Sequence, residues 1–383
     1  MTVWDALGPS PIIDALARQL ATGATAHAWL LVGPAGAGKR PAAVAMAAAL
    51  NCLNEPDRGC GECSSCLRIL RRRFPDVHHI VPEGPIIPVD VVRETIVPEA
   101  ARSPFEGRTK VFIIEEAERM NPAAQNALLK TLEEPHQDTV FVLISEDEDE
   151  LLQTIRSRCR LIRLDAISEA RLIDLLERQG VPPDVAVVAA RVAEGDLERA
   201  LELATDGSSA SRRRTWLDLP RRLSSPMDAM DAAADVLAAA RAAVKELEAV
   251  HKSEAEELAE ILGERRGTAA ARNALAKKHR RELRRREEEV LGEALDTLGS
   301  FYRDVLVARR GGAEAITNID RTDEIQRWAQ GGAPDAALVA AIARCVDTRA
   351  ALLRNANPSL QIEAVLVEIA RLVPVESTVG VPG

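Results

Sequence analysis

Aromatic residues are scarce in this chain: Phe, Trp and Tyr together make up 3% of its 383 residues. Hydrophobic residues nevertheless account for 46% of the chain, so Ala, Leu, Val and Ile must supply most of the core packing. This supply is ample for the two or three domains that a chain of this length typically forms. The composition therefore indicates a globular protein of more than one domain.

Long apolar runs and a basic N-terminal leader are also missing. No stretch of 18 apolar residues occurs, and the N-terminus opens with Trp4-Asp5-Ala6-Leu7 instead of a basic segment followed by an apolar one. We therefore expect a cytoplasmic protein. The 59 acidic residues outnumber the 49 Lys and Arg residues, and the formal net charge is -10. This balance argues against a protein that is basic over its whole surface, but it leaves room for a local cationic patch.

Cysteine is rare as well, yet four of the six cysteines fall within fifteen residues. Cys52, Cys60, Cys63 and Cys66 have the spacing C-x7-C-x2-C-x2-C, which in a reducing compartment is typical of a tetrahedral zinc site. Four thiolate ligands leave no open position for water, so we expect the zinc to brace a loop and not to catalyse. The alternative interpretation is a set of free thiols.

A glycine-rich segment follows the apolar run Trp29–Val32 and reads Gly-Pro-Ala-Gly-Ala-Gly-Lys-Arg from Gly33 to Arg40. The G-x-x-x-x-G-K spacing predicts a phosphate-binding loop, in which backbone N–H groups around Gly33, Gly36 and Gly38 hold a phosphate and Lys39 reaches its oxygens. Position 40 normally carries a Ser or Thr hydroxyl that holds magnesium. Arg40 has no lone pair for a metal and adds positive charge there, so we expect impaired hydrolysis. The alternative is a strand-to-helix turn with no ligand.

Two acidic residues follow another continuous apolar run. Glu115 and Glu116 come directly after Val111–Ile114, at the strand end where parallel sheets place their ligands. In phosphate-loop enzymes an acidic pair at this point holds magnesium and orients water. Five apolar runs alternate with helical patterns and predict a parallel α/β sheet with five strands. The runs are 28–32, 78–81, 111–114, 140–145 and 160–164.

Several of these motifs together resemble the clamp-loader branch of the AAA+ ATPases. They are the phosphate loop, the four-cysteine insertion, Asn-Ala-Leu-Leu-Lys-Thr-Leu-Glu-Glu-Pro at 126–135, Ser-Arg-Cys at 157–159 and Asn-Ala-Asn-Pro at 355–358. The resemblance implies a RecA-like AAA+ nucleotide-binding domain at 1–166 with a zinc module at 52–66. A small helical lid at 167–207 and an all-α collar domain at 208–383 would follow.

The resemblance also implies a role for Arg158, the arginine of the Ser-Arg-Cys motif. In the family this arginine reaches across a subunit interface to the γ-phosphate of ATP on a neighbouring subunit, as an arginine finger that stabilises developing charge. Arg156 and Arg160 flank it, so the alternative is a solvated basic loop. A second phosphate-sensing arginine of the family falls in register on Glu198, with Arg199 one residue late, and an acid there would repel phosphate.

Function follows from the resemblance as an expectation. We expect a non-motor subunit of the clamp loader of bacterial DNA polymerase III, with structural Zn²⁺ and with ATP either bound without hydrolysis or absent from its own site. Its implied partners are ATPase motor subunits and a delta subunit in a hetero-pentamer and, through that complex, the sliding clamp and primer–template DNA. Two alternatives remain: a DNA-dependent ATPase that uses Lys39, Glu115 and Glu116 itself, and a zinc-braced scaffold that never binds nucleotide.

The C-terminal half has an almost entirely helical pattern. Long helical stretches at 231–262 and 269–309 flank Gly-Glu-Arg-Arg-Gly at 263–267, which predicts a protruding helical hairpin at about 245–290. Its basic runs at 277–281 and 284–286 could touch DNA phosphates or an acidic partner. Glutamates are interleaved with them and no aromatics are present, which favours a solvated face. Residues 208–214 are predicted to be a linker and 374–383 a frayed tail.

Overall fold

A computed structural model describes residues 2–374 apart from residues 9, 24, 83, 85, 263–267 and 355. The chain divides into two compact units, Met1–Thr205 and Asp206–Gly383. The first unit contains the predicted nucleotide-binding domain and lid, and the second contains the predicted collar domain. Among the described residues, no helix is both long enough and apolar enough to cross a membrane.

The first unit is built on a parallel sheet of five strands, as the sequence predicts. The strands are β1 (Ala28–Val32), β2 (Val77–Ile80), β3 (Lys110–Ile114), β4 (Thr139–Ser145) and β5 (Arg160–Arg163). Their order across the sheet is β2-β3-β4-β1-β5, and all neighbouring pairs are parallel. The α/β fold class with a helical second unit is therefore confirmed.

Helices cover both faces of this sheet. In the described part of the unit they are α1 (Pro11–Ala21), α2 (Lys39–Leu50), α3 (Ser64–Leu70), α4 (Val89–Val91), α5 (Val97–Ala100), α6 (Pro122–Glu133), α7 (Gln153–Arg156), α8 (Glu169–Arg178), α9 (Pro183–Ala193) and α10 (Leu197–Thr205). A π-helical segment, Val92–Ile96, joins α4 to α5. Short 3-10 turns lie at Asp5–Leu7 and Ala117–Arg119.

The two faces explain why the central strands are apolar throughout. Side chains alternate along a strand, so Trp29 and Leu31 of β1 join the core beneath α1, α2 and the helices α8 to α10, whereas Leu30 joins the core beneath α6. All five residues of β1 are buried. Helix α2 is Ala-rich because it packs closely into this core, where most of its residues are fully buried.

The second unit is all helical in the part that the structure describes. Its helices are α11 (Gly207–Leu217), α12 (Leu219–Arg222), α13 (Pro226–Leu262), α14 (Thr268–Arg309), α15 (Thr322–Ala329), α16 (Asp335–Leu352) and α17 (Pro358–Leu372). Trp216, Phe301 and Tyr302 lie in its core among aliphatic side chains. These three aromatics supply the bulk that Ala-rich helices lack.

The prediction of a linker at 208–214 is wrong. Asp206 caps α11 by accepting a hydrogen bond from the Ser208 N–H, so helix replaces linker from Gly207 onward. Arg213 is buried and pairs with Asp320 through two hydrogen bonds of 2.7 and 2.8 Å. The polar composition of this segment reflects ion pairing inside the helical unit.

Helices α13 and α14 extend into the predicted hairpin, whose turn at 263–267 lies outside the described residues. The rings of His251 and His279 stack with centroids 4.0 Å apart, and His251 Nε2 lies 2.8 Å from Glu282 Oε2. The described arginines at 284 and 285 each pair with a glutamate four residues later. This pairing favours the solvated-face interpretation, because the paired carboxylates offset the basic charge. The side chains of residues 277 and 278 are outside the description.

Candidate functional site

The phosphate loop connects β1 to α2 and lies at the carboxyl edge of the sheet. Gly36 and Gly38 have φ angles of 73° and 79°, a conformation that favours glycine. A Cβ on Gly36 would come within 2.2 Å of the Asp196 Cα, so the loop packs directly against the residue that precedes α10. The Leu197 N–H also donates a hydrogen bond of 3.3 Å to the Gly36 carbonyl. Residue 36 must therefore be glycine because a side chain there would clash with Asp196 of the same chain.

Lys39 is directed at its own loop. Its Nζ donates to the Gly33 carbonyl at 2.5 Å and to the Pro34 carbonyl at 2.6 Å. The residue is 8% exposed, and this burial lowers the pKa of its ammonium, while the carboxylates of Glu146 and Glu118 act in the opposite direction. To hold a phosphate, Lys39 would have to break its hydrogen bonds to both carbonyls.

Arg40 occupies the place that a metal-binding hydroxyl would take. Its Nε and Nη2 lie 2.8 and 2.7 Å from Glu115 Oε2, and its Nη1 lies 3.0 Å from Glu198 Oε2. Glu115 is 3% exposed. The guanidinium therefore bridges the end of β3 to the start of α10, and it places a positive charge on the buried Glu115 carboxylate.

The cavity beside the loop is small and acidic. Its volume is about 210 Å³, below the roughly 300–1,000 Å³ that is usual for ligand pockets. Two cations, Lys39 and Arg40, line it. Six carboxylates line it as well, from Glu115, Glu116, Glu118, Glu146, Asp196 and Glu198. A triphosphate entering this cavity would meet more negative than positive charge, which opposes binding.

The residues predicted to sense a phosphate and to bind magnesium lie in or beside this cavity. Glu198 lines the cavity and Arg199 does not, which agrees with the in-register assignment of the acid. Glu116 has φ 50° in the turn after β3, and its carboxylate lies 2.8 Å from Arg119 Nε. Both predicted magnesium carboxylates are thus engaged by arginines of the same chain. Of these two arginines, Arg40 lines the cavity and Arg119 does not.

Arg158 lies at the opposite edge of the sheet. It precedes β5, whose Arg160 pairs with Trp29 near the start of β1, whereas the phosphate loop follows the end of β1. At about 3.3 Å per residue, the length of such a strand separates the two edges by roughly 16 Å. Arg158 is not among the residues that line the cavity. It therefore has no access to a phosphate in the cavity of its own chain.

The guanidinium of Arg158 is held by its own chain. Nε donates to Glu133 Oε1 at 2.9 Å, Nη2 contacts the same oxygen, and Nη1 donates to the Thr154 carbonyl at 2.8 Å. Glu133 is the last residue of α6. The Arg158 and Glu133 side chains are 29% and 48% exposed, so the pair is accessible to solvent. Such exposed pairs contribute about 0–1 kcal/mol, and little is lost when one separates.

The four predicted zinc ligands lie together. The Sγ atoms of Cys52, Cys60, Cys63 and Cys66 are all within 4.8 Å of one another, and those of Cys52 and Cys63 are 4.0 Å apart. Tetrahedral zinc with Zn–S bonds of about 2.3 Å requires sulfurs about 3.8 Å apart, so a small contraction would close the site. Backbone N–H groups of residues 55, 60, 62, 63 and 66 point at these sulfurs.

Hydrogen bonding at Cys63 suits a thiolate, whereas burial and the hydrogen bonds with Cys63 and Cys52 raise the pKa of the Cys66 thiol. Burial alone would raise the pKa of the Cys63 thiol, but hydrogen bonds from the Cys66 and Leu53 N–H groups lower it to about 6. The cluster also secures the N-terminus, since the Trp4 Nε1 donates to the Arg58 carbonyl at 2.9 Å within the loop between the first two cysteines. The residues present therefore fit a structural zinc, which would hold this loop on α2 and α3.

Comparison with known proteins decides the family. A family model described as "DNA polymerase III, delta subunit" matches residues 8–168. The delta' subunit of DNA polymerase III from Bacillus subtilis is 34% identical over 193 residues, which cover 50% of this chain and 58% of that protein. The delta' subunit from Haemophilus influenzae is 33% identical over 224 residues, covering 57% of this chain and 68% of that protein. This chain belongs to the delta-prime family of DNA polymerase III subunits.

One solved structure aligns along most of this delta-prime chain. A DNA polymerase III gamma subunit-related protein from Thermotoga maritima covers 94% of this chain and 99% of its own length, with 19% identity and a TM-score of 0.43. The match to the Bacillus subtilis relative spans little more than half of that protein's length.

Several residues of this delta-prime chain's site were not identified from sequence. Glu118 and Asp196 line the cavity, and Glu133 holds Arg158, a contact that the motif at 126–135 does not reveal although Glu133 belongs to it. Glu146 directly follows the last residue of β4. Its position at the carboxyl end of a parallel strand was therefore a usable signal. The motif at 355–358 is described only in part, because residue 355 lies outside the described residues; Asn357 caps α17 by accepting from the Leu360 N–H.

Proposed function

We propose that this chain is a non-motor subunit of the DNA polymerase III clamp loader, in which Arg158 acts in trans on ATP bound by a neighbouring motor subunit. In this role it works with motor and delta subunits in a hetero-pentamer, and through them with the sliding clamp and primer–template DNA. The family membership supports a clamp-loader role. The observation that carries the proposal is the placement of Arg158 at the sheet edge opposite its own cavity.

The contacts inside the chain's own cavity support the non-motor part of the proposal, namely that ATP is not hydrolysed there. Arg40 bridges Glu115 and Glu198, and Lys39 binds loop carbonyls. A magnesium ion would have to displace the guanidinium, and a triphosphate would have to displace the lysine contacts, in a cavity with six carboxylates. We infer that this chain does not turn over ATP at its own site, which opposes the alternative of an independent DNA-dependent ATPase.

The four cysteines complete the proposal. We infer that Cys52, Cys60, Cys63 and Cys66 hold one Zn²⁺ with a structural role, on the strength of their sulfur distances and N–H donors. When bound, zinc would fix the loop between α2 and α3. No step of ATP hydrolysis depends on this site.

The proposal is tested in a reconstituted clamp loader by ATP turnover in the presence of clamp and primed DNA. Arg158→Ala is expected to lower turnover at the neighbouring site by about 10³-fold or more, since an arginine finger contributes on that order. Arg156→Ala is the matched control, because Arg156 lies two residues away and pairs with Asp149. Lys39→Ala is expected to leave turnover unchanged. Loss of turnover in Lys39→Ala, with none in Arg158→Ala, would favour the independent ATPase.

A further inference from the structure

The guanidinium of Arg158 has all three of its nitrogens engaged inside its own chain. Nε and Nη2 both contact Glu133 Oε1, and Nη1 donates to the Thr154 carbonyl at 2.8 Å. A guanidinium binds an oxyanion most strongly through two parallel N–H groups along one edge. The Glu133 carboxylate already occupies the Nε–Nη2 edge. A phosphate of a neighbouring subunit could use this edge only after Glu133 has withdrawn.

Glu133 has no other contact that explains its charge. Among the described residues, Arg158 is the one hydrogen-bond or ion-pair partner of the Glu133 side chain. Glu133 is also the last residue of α6, and the helix dipole disfavours a carboxylate at the C-terminal end of a helix. The stability of α6 therefore gives no reason for an acid at this position, and the contact with Arg158 does.

Charge places Glu133 in competition with a phosphate. An arginine finger acts by bringing positive charge to phosphoryl oxygens as negative charge develops on them. When Arg158 is paired with Glu133, the pair carries no net charge, and a phosphate beside it would also be repelled by the carboxylate. A neighbouring γ-phosphate and Glu133 therefore compete for the same guanidinium.

The contact is weak enough to be reversed. Both side chains are partly exposed, so water screens their attraction. An exposed ion pair of this kind shifts an equilibrium by about 2- to 5-fold. A charge-assisted bond to a phosphate inside a closed interface is stronger than this. A closely docked neighbour that carries ATP can therefore draw Arg158 away, whereas a loosely associated one leaves most of Arg158 on Glu133.

We propose that Glu133 is an autoinhibitory partner of Arg158, which holds the guanidinium away from the neighbouring subunit until the γ-phosphate of that subunit displaces it. The proposal rests on the proposed function, because it requires Arg158 to act in trans. It adds a residue that regulates this step. The restraint is strongest when the two subunits are loosely associated, so Glu133 lowers ATP turnover before clamp and DNA are bound.

The first test is ATP turnover by the reconstituted clamp loader with Glu133→Gln, measured with and without clamp and primed DNA. Glutamine keeps the size of the side chain and removes its charge, so a larger fraction of Arg158 is free to act. Without clamp and DNA, kcat is expected to rise by about 2- to 5-fold, with little change in KM for ATP. A smaller rise is expected when clamp and DNA are present. Glu134→Gln is the matched control, because the Glu134 side chain has no hydrogen bond or ion pair within the described residues.

A double variant shows whether Glu133 acts through Arg158. Glu133→Gln combined with Arg158→Ala should turn over ATP at the rate of Arg158→Ala alone. A lower rate in Glu133→Gln than in wild type would mean that Glu133 positions the finger, and it would overturn the proposal. An unchanged rate, or an equal rise in Glu134→Gln, would overturn it as well. If Arg158→Ala itself leaves turnover unchanged, the proposed function fails and this inference fails with it; if only Glu133→Gln is without effect, this inference fails alone.

The second test observes the contact in the full chain without the other subunits. Because the Arg158 Nε–H donates to Glu133 at 2.9 Å, its exchange with water, measured by nuclear magnetic resonance, should be slow in wild type. Glu133→Gln should speed up this exchange, and Glu134→Gln should not. Equal exchange rates in wild type and Glu133→Gln would show that the carboxylate does not restrain the guanidinium, and they would overturn the proposal.

Discussion

Replacing Arg40 by threonine tests whether the guanidinium stands in for a metal ion. The substitution removes the contacts of 2.8 and 2.7 Å to Glu115 and of 3.0 Å to Glu198, and it leaves a hydroxyl at the position where phosphate loops normally carry one. Glu115 is 3% exposed and would lose a cation that neutralises it. The variant should therefore be less stable than wild type, and magnesium should partly restore it.

The magnitude follows from the exposure of the pair. Breaking a fully buried ion pair from one side costs about 3–5 kcal/mol. The Arg40 side chain is 28% exposed, so solvent screens part of this cost, and about 2 kcal/mol is a reasonable figure. For a unit of about 150–250 residues, each kcal/mol shifts the melting temperature by about 2–4 °C. Arg40→Thr should then lower the melting temperature of the first unit by about 4–8 °C.

The assay is calorimetric melting of wild type and variant, each with and without excess Mg²⁺. Magnesium should raise the melting temperature of Arg40→Thr, since Glu115 and the new hydroxyl are ligands that it prefers, and should leave wild type unchanged. Arg199→Thr is the control, because Arg199 follows Glu198 on α10 but does not line the cavity. Equal stability of Arg40→Thr and wild type, or an equal loss in Arg199→Thr, would show that the Arg40 guanidinium does not neutralise Glu115 in place of a metal ion.

Three further predictions concern other parts of the chain. Cys63→Ser, or removal of metal by a strong chelator, should lower the melting temperature of the first unit and release zinc, measured by a chromogenic chelator; Cys345→Ser in the second unit should release none. Glu133→Gln should change the melting temperature by no more than about 2–4 °C, because an exposed ion pair contributes about 0–1 kcal/mol. A much larger drop would mean that Arg158 stabilises the fold through Glu133. Burial and the neighbouring His279 lower the pKa of His251 in the folded chain. At a pH just below the ordinary pKa of histidine, the unfolded chain therefore binds more protons than the folded chain. The stability of the second unit should fall as pH drops from about 7.5 to about 5.5. Urea unfolding should show this slope in wild type and in His27→Gln, and a smaller one in His251→Gln.

Local sequence patterns were enough to predict the sheet and the two loops that were expected to bind a phosphate and a zinc ion. The central strands β1, β3 and β4 are largely apolar runs that are buried throughout, and the GxxxxGK and cysteine spacings depend on neighbours in sequence. The sheet of five parallel strands and the convergence of Cys52, Cys60, Cys63 and Cys66 follow the predictions for that reason.

Long-range contacts were not predictable in the same way. The bridge from Arg40 to Glu198 joins residues 158 positions apart, and no spacing rule connects them. The linker prediction at 208–214 failed because its polar residues read as a loop, whereas Arg213 is buried with Asp320.

The proposed contact of Arg158 with a phosphate on another subunit can be observed in a cryo-electron microscopy structure of the assembled clamp loader with a non-hydrolysable ATP analogue and primed DNA. We expect that the Arg158 guanidinium has left Glu133 or shares it, and that it lies about 3 Å from an oxygen of the γ-phosphate bound by the neighbouring subunit. An Arg158 that remains on Glu133 and faces solvent, with no neighbouring phosphate within reach, would rule out the proposed arginine finger.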